Sequence, residues 1–561
     1  MLAEGLAPCK RYCQNTGVFL ERAKLLEAVR HWNDFTESGI PSHFLLFSLY
    51  TWVVMLPRTI FAGIYYCNQP GFNLKSTQKY MYAALLCANI TAIAIILNRL
   101  SNAQSHSIEN VFLMIPMLLL IITSIPLASR SLIKRLFNWT PYFRHIQRLK
   151  SNSTHSSQIT RHIAFITIFD PPCLDELDAN LKKIKDCFSK TTKEFFIFAV
   201  IDGAGVYKNS DHAIITARKY CNFVGAGNQR RKRVNLKWMI DQAWDRGIIN
   251  ENNKTQTLIH FIDDDTFPEN TDLVEKLSDH FDDPYVGGVT TSQYVRDPIH
   301  FWQHVAQIFE MARNYGSQAC LSLFGSIGCM PGRWYCVRAS HITKKFGTRL
   351  SEETISFFGF LSRLRDPGDD RYITLEVQKS RKLIFMEPSA RVYTLSPKSF
   401  KKFWGMVTRW ARSSNIYTIQ NTPWMLKSFK TYPTLLIYWS NIFLALLTVY
   451  ITGPYLIYSI LTGAREEPIY ITIFITFISM FLTMSIRQVA IIWKTPRYIS
   501  FISILGLLGI LMQVAQVWGM ITYLESEWTG VRPIAIKSNN DNNQISLNNK
   551  INLVFSSSIE E

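Results

Sequence analysis

The sequence predicts an α/β domain with a largely parallel sheet, inserted between N- and C-terminal transmembrane helices. Three observations carry that prediction. The chain of 561 residues has long apolar runs at both ends, strand-like and helix-like stretches alternate between them, and one apolar stretch, Leu258–Pro268, ends in three consecutive carboxylates. Strands alternating with helices imply crossover connections between parallel strands. Carboxylates at a strand's C-terminal end sit where the loops of such a sheet converge to form ligand sites.

Composition narrows the class. The net charge of +18 is concentrated in Arg130–Lys150 and Lys398–Arg412, both beside apolar runs. Basic residues in that setting mark the cytoplasmic side of a membrane and attract anionic lipid, so no nucleic-acid partner is expected. The ten cysteines show neither metal-type nor disulfide-type spacing, which fits a reducing compartment and argues against a zinc site. Residues 1–42 are polar and charged, and no cleavable signal peptide is expected there.

Taken in order, His43–Tyr66, Tyr80–Leu97 and Val111–Ala128 each approach the roughly 20 residues that cross a bilayer. Three crossings would place residues 1–42, with five Lys or Arg, outside, against the positive-inside tendency. Two to three helices are therefore expected in 43–130, and 1–42 is either cytosolic or external. His162–Phe169 and Phe195–Ile201 read as strands, the second running into Asp202-Gly203, and Asp175–Ser189 and Val234–Arg246 read as helices. Pro298–Ser322 reads as one helix or two, and Gly325–Trp334 as a glycine-punctuated loop. Asp366–Arg371 opens a helix over Tyr372–Ser380, where acidic residues are favourable caps. Phe400–Asn415 is amphipathic, basic and aromatic, as a helix lying on a membrane surface would be. Thr434–Leu461, Ile469–Ile486 and Ile499–Tyr523 are further membrane segments, followed by Trp528–Arg532 and a polar tail rich in Asn and Ser. The boundaries that follow are 1–42, 43–130, a soluble domain at 131–397, interface helices at 398–430, a C-terminal membrane region at 431–532 and a disordered tail at 533–561.

Adjacent carboxylates repel, so Asp263, Asp264 and Asp265 suggest a bound cation; oxygen ligands suit Mg²⁺ or Mn²⁺, with substrate phosphates completing the shell. A solvated acidic turn is the plainer alternative. Asp202 ends a strand on the same rim, although Asp-Gly is also ordinary turn chemistry.

Together these motifs resemble a processive family-2 glycosyltransferase, most like the hyaluronan synthases and related to chitin and cellulose synthases. The resemblance covers about Arg161 to Arg532. Val200–Gly203 is similar to the nucleotide-binding aspartate motif, Arg230–Arg233 to the Lys-Arg ahead of a helix, and Asp263–Asp265 to the D-x-D motif. Gly368–Arg371 matches the G-D-D-R form, Arg409-Trp410 the end of Q-x-x-R-W, and Trp528–Arg532 the W-G-T-R box. Two positions depart from the pattern: Met406 stands where the motif has Gln, and the last box is spaced WTGVR.

The resemblance implies a GT-A-like cytosolic glycosyltransferase domain in a multi-pass plasma-membrane protein that polymerises UDP-sugars and exports the product. It implies that Asp202 and Asp263 bind uridine, that Lys232 and Arg233 sit near its base or phosphates, and that Asp265 holds Mg²⁺ or Mn²⁺. Asp370 would be the general base, with Asp369 and Arg371 orienting or pairing beside it. Arg409 would meet the diphosphate, Trp410 the acceptor sugar, Cys329 the acceptor pocket, and Trp528 and Arg532 would close over the nucleotide. The implied partners are UDP-sugar donors, a growing polysaccharide and the lipid bilayer; oligomeric state is left open. Chitin, a β-glucan or another uronic-acid-containing polymer, or a single transfer by a non-processive enzyme, remain alternatives to hyaluronan-like synthesis. Ile499–Tyr523 is expected to bend back or lie near the interface, keeping Arg532 cytoplasmic.

Overall fold

The computed structural model describes residues 61, 62, 65, 137–152, 159–169, 173–204, 209–227, 232–357, 361–364, 368–428, 431, 432, 498 and 502–522. In chain order the elements are α1 (Pro141–Asn152), β1 (Arg161–Phe169), α2 (Leu174–Ser189), β2 (Glu194–Asp202), α3 (Ser210–Arg218), β3 (Phe223–Gly227), α4 (Lys232–Asp245), β4 (Thr257–Asp263) and β5 (Thr266–Pro268). Then come α5 (Leu273–Ser278), β6 (Val286–Val295), α6 (Phe301–Ala312), a π-helical segment (Arg313–Gln318), α7 (Ala319–Leu323), β7 (Trp334–Arg338) and α8 (Lys344–Glu352). A short hairpin of β8 (Thr354–Phe357) and β9 (Leu361–Leu364) precedes α9 (Asp369–Lys379), β10 (Leu383–Thr394), α10 (Phe400–Lys427) and α11 (Ile502–Ile521).

Eight strands form one sheet in the order β3-β2-β1-β4-β7-β6-β10-β5. The first four are mutually parallel. β7 runs antiparallel to both its neighbours, β10 is parallel to β6, and β5 closes the edge antiparallel to β10. Near-continuous apolar runs such as Phe195–Ile201 suit strands covered on both faces. One register row shows how they pack: Phe198, Phe165, Phe261 and Tyr335 lie opposite one another across four strands. Their rings meet at 5.6, 5.7 and 5.0 Å, the aromatic spacing that adds to burial.

A second apolar cluster joins α6 to α10 through Val305, Ile308, Met311, Phe403, Met406 and Val407. Met406 is thus a core residue between two helices, which accounts for an apolar side chain where the motif has Gln. α10 is longer than the sequence suggested, continuing to Lys427 with Pro423 inside it. α11 docks along α10: Asn415 Nδ2 donates to the Gln516 carbonyl at 2.8 Å, and Arg412 donates to Thr522 Oγ1 at 2.9 Å. Gly519 permits this approach, since a Cβ there would lie 2.8 Å from the Arg412 backbone nitrogen.

Among the described residues, no helix is long and apolar enough to cross a membrane. Apart from Phe61, Ala62 and Tyr65, the expected segments in 43–128 and those in 434–486 lie outside the described residues, as do residues 1–42 and the tail.

Candidate active site

β4 carries Asp263 to the rim, and the three acids that end it do different things. Asp264 is used for structure: its Oδ2 accepts from the Phe169 N–H at 3.0 Å, and its carbonyl accepts from Asn180 Nδ2 at 2.8 Å. It therefore ties the acidic turn to the end of β1 and the middle of α2. Asp263 accepts from Lys232 Nζ, the first residue of α4, at 2.6 Å. Burial raises the Asp263 carboxyl to about 6, with the neighbouring Asp265 adding to the rise and Lys232 opposing it.

The same ammonium reaches the other acidic motif, Asp369 Oδ2 lying 3.1 Å from Lys232 Nζ. Burial works against the Asp369 charge, but Lys232 and Arg233 outweigh it and hold the carboxyl below its usual range. Lys232 in turn stays firmly protonated: Asp263 and Asp369 overcome the cost of its burial.

Asp369 and Asp370 occupy the first turn of α9, where the helix dipole favours negative charge. The turn is set by Gly368 at φ +91°, and a Cβ there would lie 2.2 Å from Ser413 Oγ of α10. Only glycine suits both the left-handed backbone and that contact. Asp370 Oδ1 accepts from the Arg371 N–H at 2.8 Å, and Oδ2 accepts from the Cys329 thiol at 3.3 Å. Burial, with the charge of Asp370 adding, pushes the Cys329 thiol far up, so it remains a donor.

Arg409 lies in the field of Asp370, Asp263 and Asp369, although burial draws its guanidinium below the usual range. Trp410 stacks on Phe309 at 5.8 Å, and the guanidinium carbons of Arg313 and Arg333 are each 5.8 Å from its ring centre. The glycine loop closes this side: the Arg333 carbonyl accepts from the Asp263 N–H at 3.0 Å. A Cβ on Gly332 would meet Asp263 Oδ2 at 3.4 Å and Lys232 Nζ at 3.5 Å.

Asp263, Asp265, Lys232, Asp369, Asp370, Cys329, Arg409 and Trp410 are thereby gathered around one stretch of rim. Asp202 ends β2 opposite Phe169, while Asp263 is opposite Thr167. It stands on the same edge, two strands and about 10 Å across the sheet. Arg233 turns inward instead: fully buried, it donates to Glu353 at 2.6 Å, Tyr417 at 2.7 Å and the Leu350 carbonyl at 3.2 Å. Its place is a strut between α4, α8 and α10, not the donor pocket. The Arg371 side chain lines a small cavity with Gly328, Leu375 and Tyr417. Trp528 and Arg532 lie outside the described residues.

Among the described residues, no group of three or more His, Cys, Asp or Glu side chains is arranged to hold a metal ion. Two acids nonetheless fit one in the way a diphosphate site requires. Burial raises the Asp263 carboxyl and the charge of Asp265 adds to the rise, an all-oxygen pair that a divalent cation would relieve while phosphate oxygens supplied its remaining ligands.

Sequence reasoning missed the groups around Trp410. Gln293, Glu310 and Arg313 come from β6, α6 and the π segment, and nothing in their local pattern links them; only Arg333, within the glycine loop, sat in a stretch already singled out.

Residues 258–486 match the family model described as glycosyl transferase family group 2. An N-acetylglucosaminyltransferase of Azorhizobium caulinodans is 26% identical over 339 residues, 59% of this chain and 78% of the relative. Among solved structures, the mannosyltransferase PcManGT from Pyrobaculum calidifontis, in complex with GDP-Man and Mn²⁺, aligns with a TM-score of 0.39 and 13% identity, covering 69% of this chain and 96% of that one.

Proposed function

We propose that the chain is a glycosyltransferase built around a family-2 domain and that it joins sugars from UDP-activated donors into a polysaccharide, in the manner of a hyaluronan synthase. The observation that carries the reading is Lys232, one ammonium bonded to acids from both the D-x-D and the G-D-D-R stretches. That bond draws the donor-side and acceptor-side motifs into one site.

In this reading Asp202 and Asp263 bind the uridine, and Lys232 neutralises charge beside the diphosphate. Asp265, with oxygens of that diphosphate, would hold Mg²⁺ or Mn²⁺, which when bound supplies charge neutralisation on the departing UDP. Asp370 takes the proton of the acceptor hydroxyl as that oxygen attacks the anomeric carbon in line; the bond to UDP breaks and the configuration inverts. The Cys329 thiol and the Arg371 N–H each bind one oxygen of Asp370 and so fix its carboxylate plane. Asp369, kept ionised by Lys232 and Arg233, orients the pair. Trp410 offers an aromatic face to the acceptor sugar, and Arg409 meets the diphosphate.

The similarity to an N-acetylglucosaminyltransferase favours N-acetylglucosamine among the donor sugars, which suits hyaluronan-like and chitin-like products alike. Successive transfer and export across a plasma membrane are supported by the apolar runs that flank the domain and by the basic, aromatic α10. The test is to incubate purified full-length protein with Mg²⁺ or Mn²⁺ and each UDP-sugar, singly and in pairs, then digest with specific glycosidases and size the product on a gel. Long, glycosidase-sensitive chains are expected. Single-sugar products would make the enzyme non-processive, and absence of UDP release with every donor would remove the reading.

A further inference from the structure

Beside Trp410 lies a buried ion cluster drawn from three separate stretches of chain. Glu310, on the last turn of α6, is 1% exposed. Its Oε2 lies 2.5 Å from Arg313 and its Oε1 2.5 Å from Arg333. Gln293 of β6 bridges the same two arginines, its Oε1 accepting from Arg313 at 2.6 Å and from Arg333 at 2.9 Å. Two guanidiniums against one carboxylate leave the cluster positively charged, and both face the Trp410 ring. Buried ion clusters seldom add stability over an apolar core, because desolvation consumes most of the attraction. This one therefore calls for a role in geometry.

The backbone points the same way. Arg313 opens the π-helical segment, a rare conformation that tends to occur at functional sites. The next residue pins that widened turn to the sheet, Asn314 Nδ2 donating to the Gln293 carbonyl at 2.6 Å. Gln293 Nε2 also holds the glycine loop through the Pro331 carbonyl at 3.3 Å, and that loop is bonded to Asp263 by the Arg333 carbonyl. Glu310 thus stands where the aromatic face, the loop and the D-x-D strand are joined.

We propose that Glu310 is a positioning residue for the acceptor. Through Arg313 and Arg333 it fixes the Trp410 ring as a flat platform for the sugar that receives the transfer. The inference rests on the functional reading above and adds a residue to it.

The test uses full-length protein in lipid nanodiscs with Mn²⁺ and UDP, titrated with N-acetylchitotriose. Glu310→Gln keeps the side-chain shape and removes its charge. It is expected to weaken chitotriose binding about tenfold while UDP affinity stays within about twofold. In a Trp410→Leu background the same substitution is expected to change chitotriose affinity by less than about twofold, because its effect passes through the ring. A full tenfold loss in that background would overturn the proposal, as would equal losses for UDP and chitotriose, which a merely structural role would give. Should Glu310→Gln fail to fold in a melting experiment, Arg313→Lys, which keeps the charge without the planar fork, takes its place in the same cycle: a loss confined to chitotriose and dependent on Trp410 supports the proposal, and any other pattern overturns it. Wild-type protein that binds neither UDP nor chitotriose would overturn the functional reading, and this inference with it.

Discussion

The two halves of the sheet are built by different rules. β3, β2, β1 and β4 are parallel and joined by helical crossovers, and β2 and β4 end in acids on one rim. β7, β6, β10 and β5 run in mixed directions, with a π-helical segment, a glycine loop and a bulge in β10 between Glu387 and Arg391. Under the proposed function, the regular half presents Asp202, Asp263 and Asp265 to the donor. Under the same proposal, the irregular half, with α9 and α10, brings Asp370, Cys329, Trp410 and the Glu310 cluster to the acceptor. Regularity suits a nucleotide site whose parts are strand ends, whereas placing a base and a platform for a sugar takes departures from the pattern.

The sharpest way to break this division is Asp370→Asn. It should lower turnover by about 10²- to 10⁴-fold, the usual worth of a general base, with UDP affinity unchanged in a binding titration. A matching loss of UDP affinity would erase the boundary between the halves. Next in size is Asp265→Ala, expected to abolish the Mn²⁺-dependent part of UDP binding, at least about tenfold, by isothermal titration. Metal-independent binding of undiminished strength would remove Asp265 from that position.

Smaller effects should fall on stability. Burial, with Lys193 adding, holds the His162 imidazole down to about 4, and burial likewise holds His145 and His341 near 4. Unfolded, these groups titrate near about 6.5. Between those values the unfolded chain binds protons that the fold does not, so stability falls as pH falls from 6.5 toward 4. A drop in melting temperature of roughly 5 °C or more is expected between pH 7 and pH 5; a flat profile would mean that these imidazoles charge within the fold. Smallest is Asp264→Ala, which removes the bond to the Phe169 N–H but keeps the one from Asn180, since the backbone carbonyl remains. It should cost about 1–2 kcal/mol of stability and leave UDP affinity within about twofold, unlike either neighbour.

The same division explains what the sequence made legible. The apolar runs of β1, β2 and β4 and the periodic α2 and α4 lie within two residues of where their patterns placed them. β6 escaped notice because Val-Gly-Gly-Val-Thr-Thr-Ser-Gln-Tyr-Val is polar yet buried, a composition that pattern reading assigns to a loop. β7 and β10 are short or bulged, and a strand that reverses direction leaves no crossover helix to announce it. At the site, acids in strand-end or helix-start positions could be found one motif at a time. Arg233 could not be separated from Lys232, because which of two adjacent cations faces inward is decided by Glu353 and Tyr417, more than a hundred residues away. Glu310, Arg313 and Gln293 were invisible for the same reason.

The strut formed by that arginine has a mechanical consequence. Tyr417 of α10 grips Arg233, and Arg233 is covalently next to the ammonium that clasps Asp263 and Asp369. A tilt of the long amphipathic rod is therefore geared, across a single peptide bond, to the ammonium that holds the two acids together.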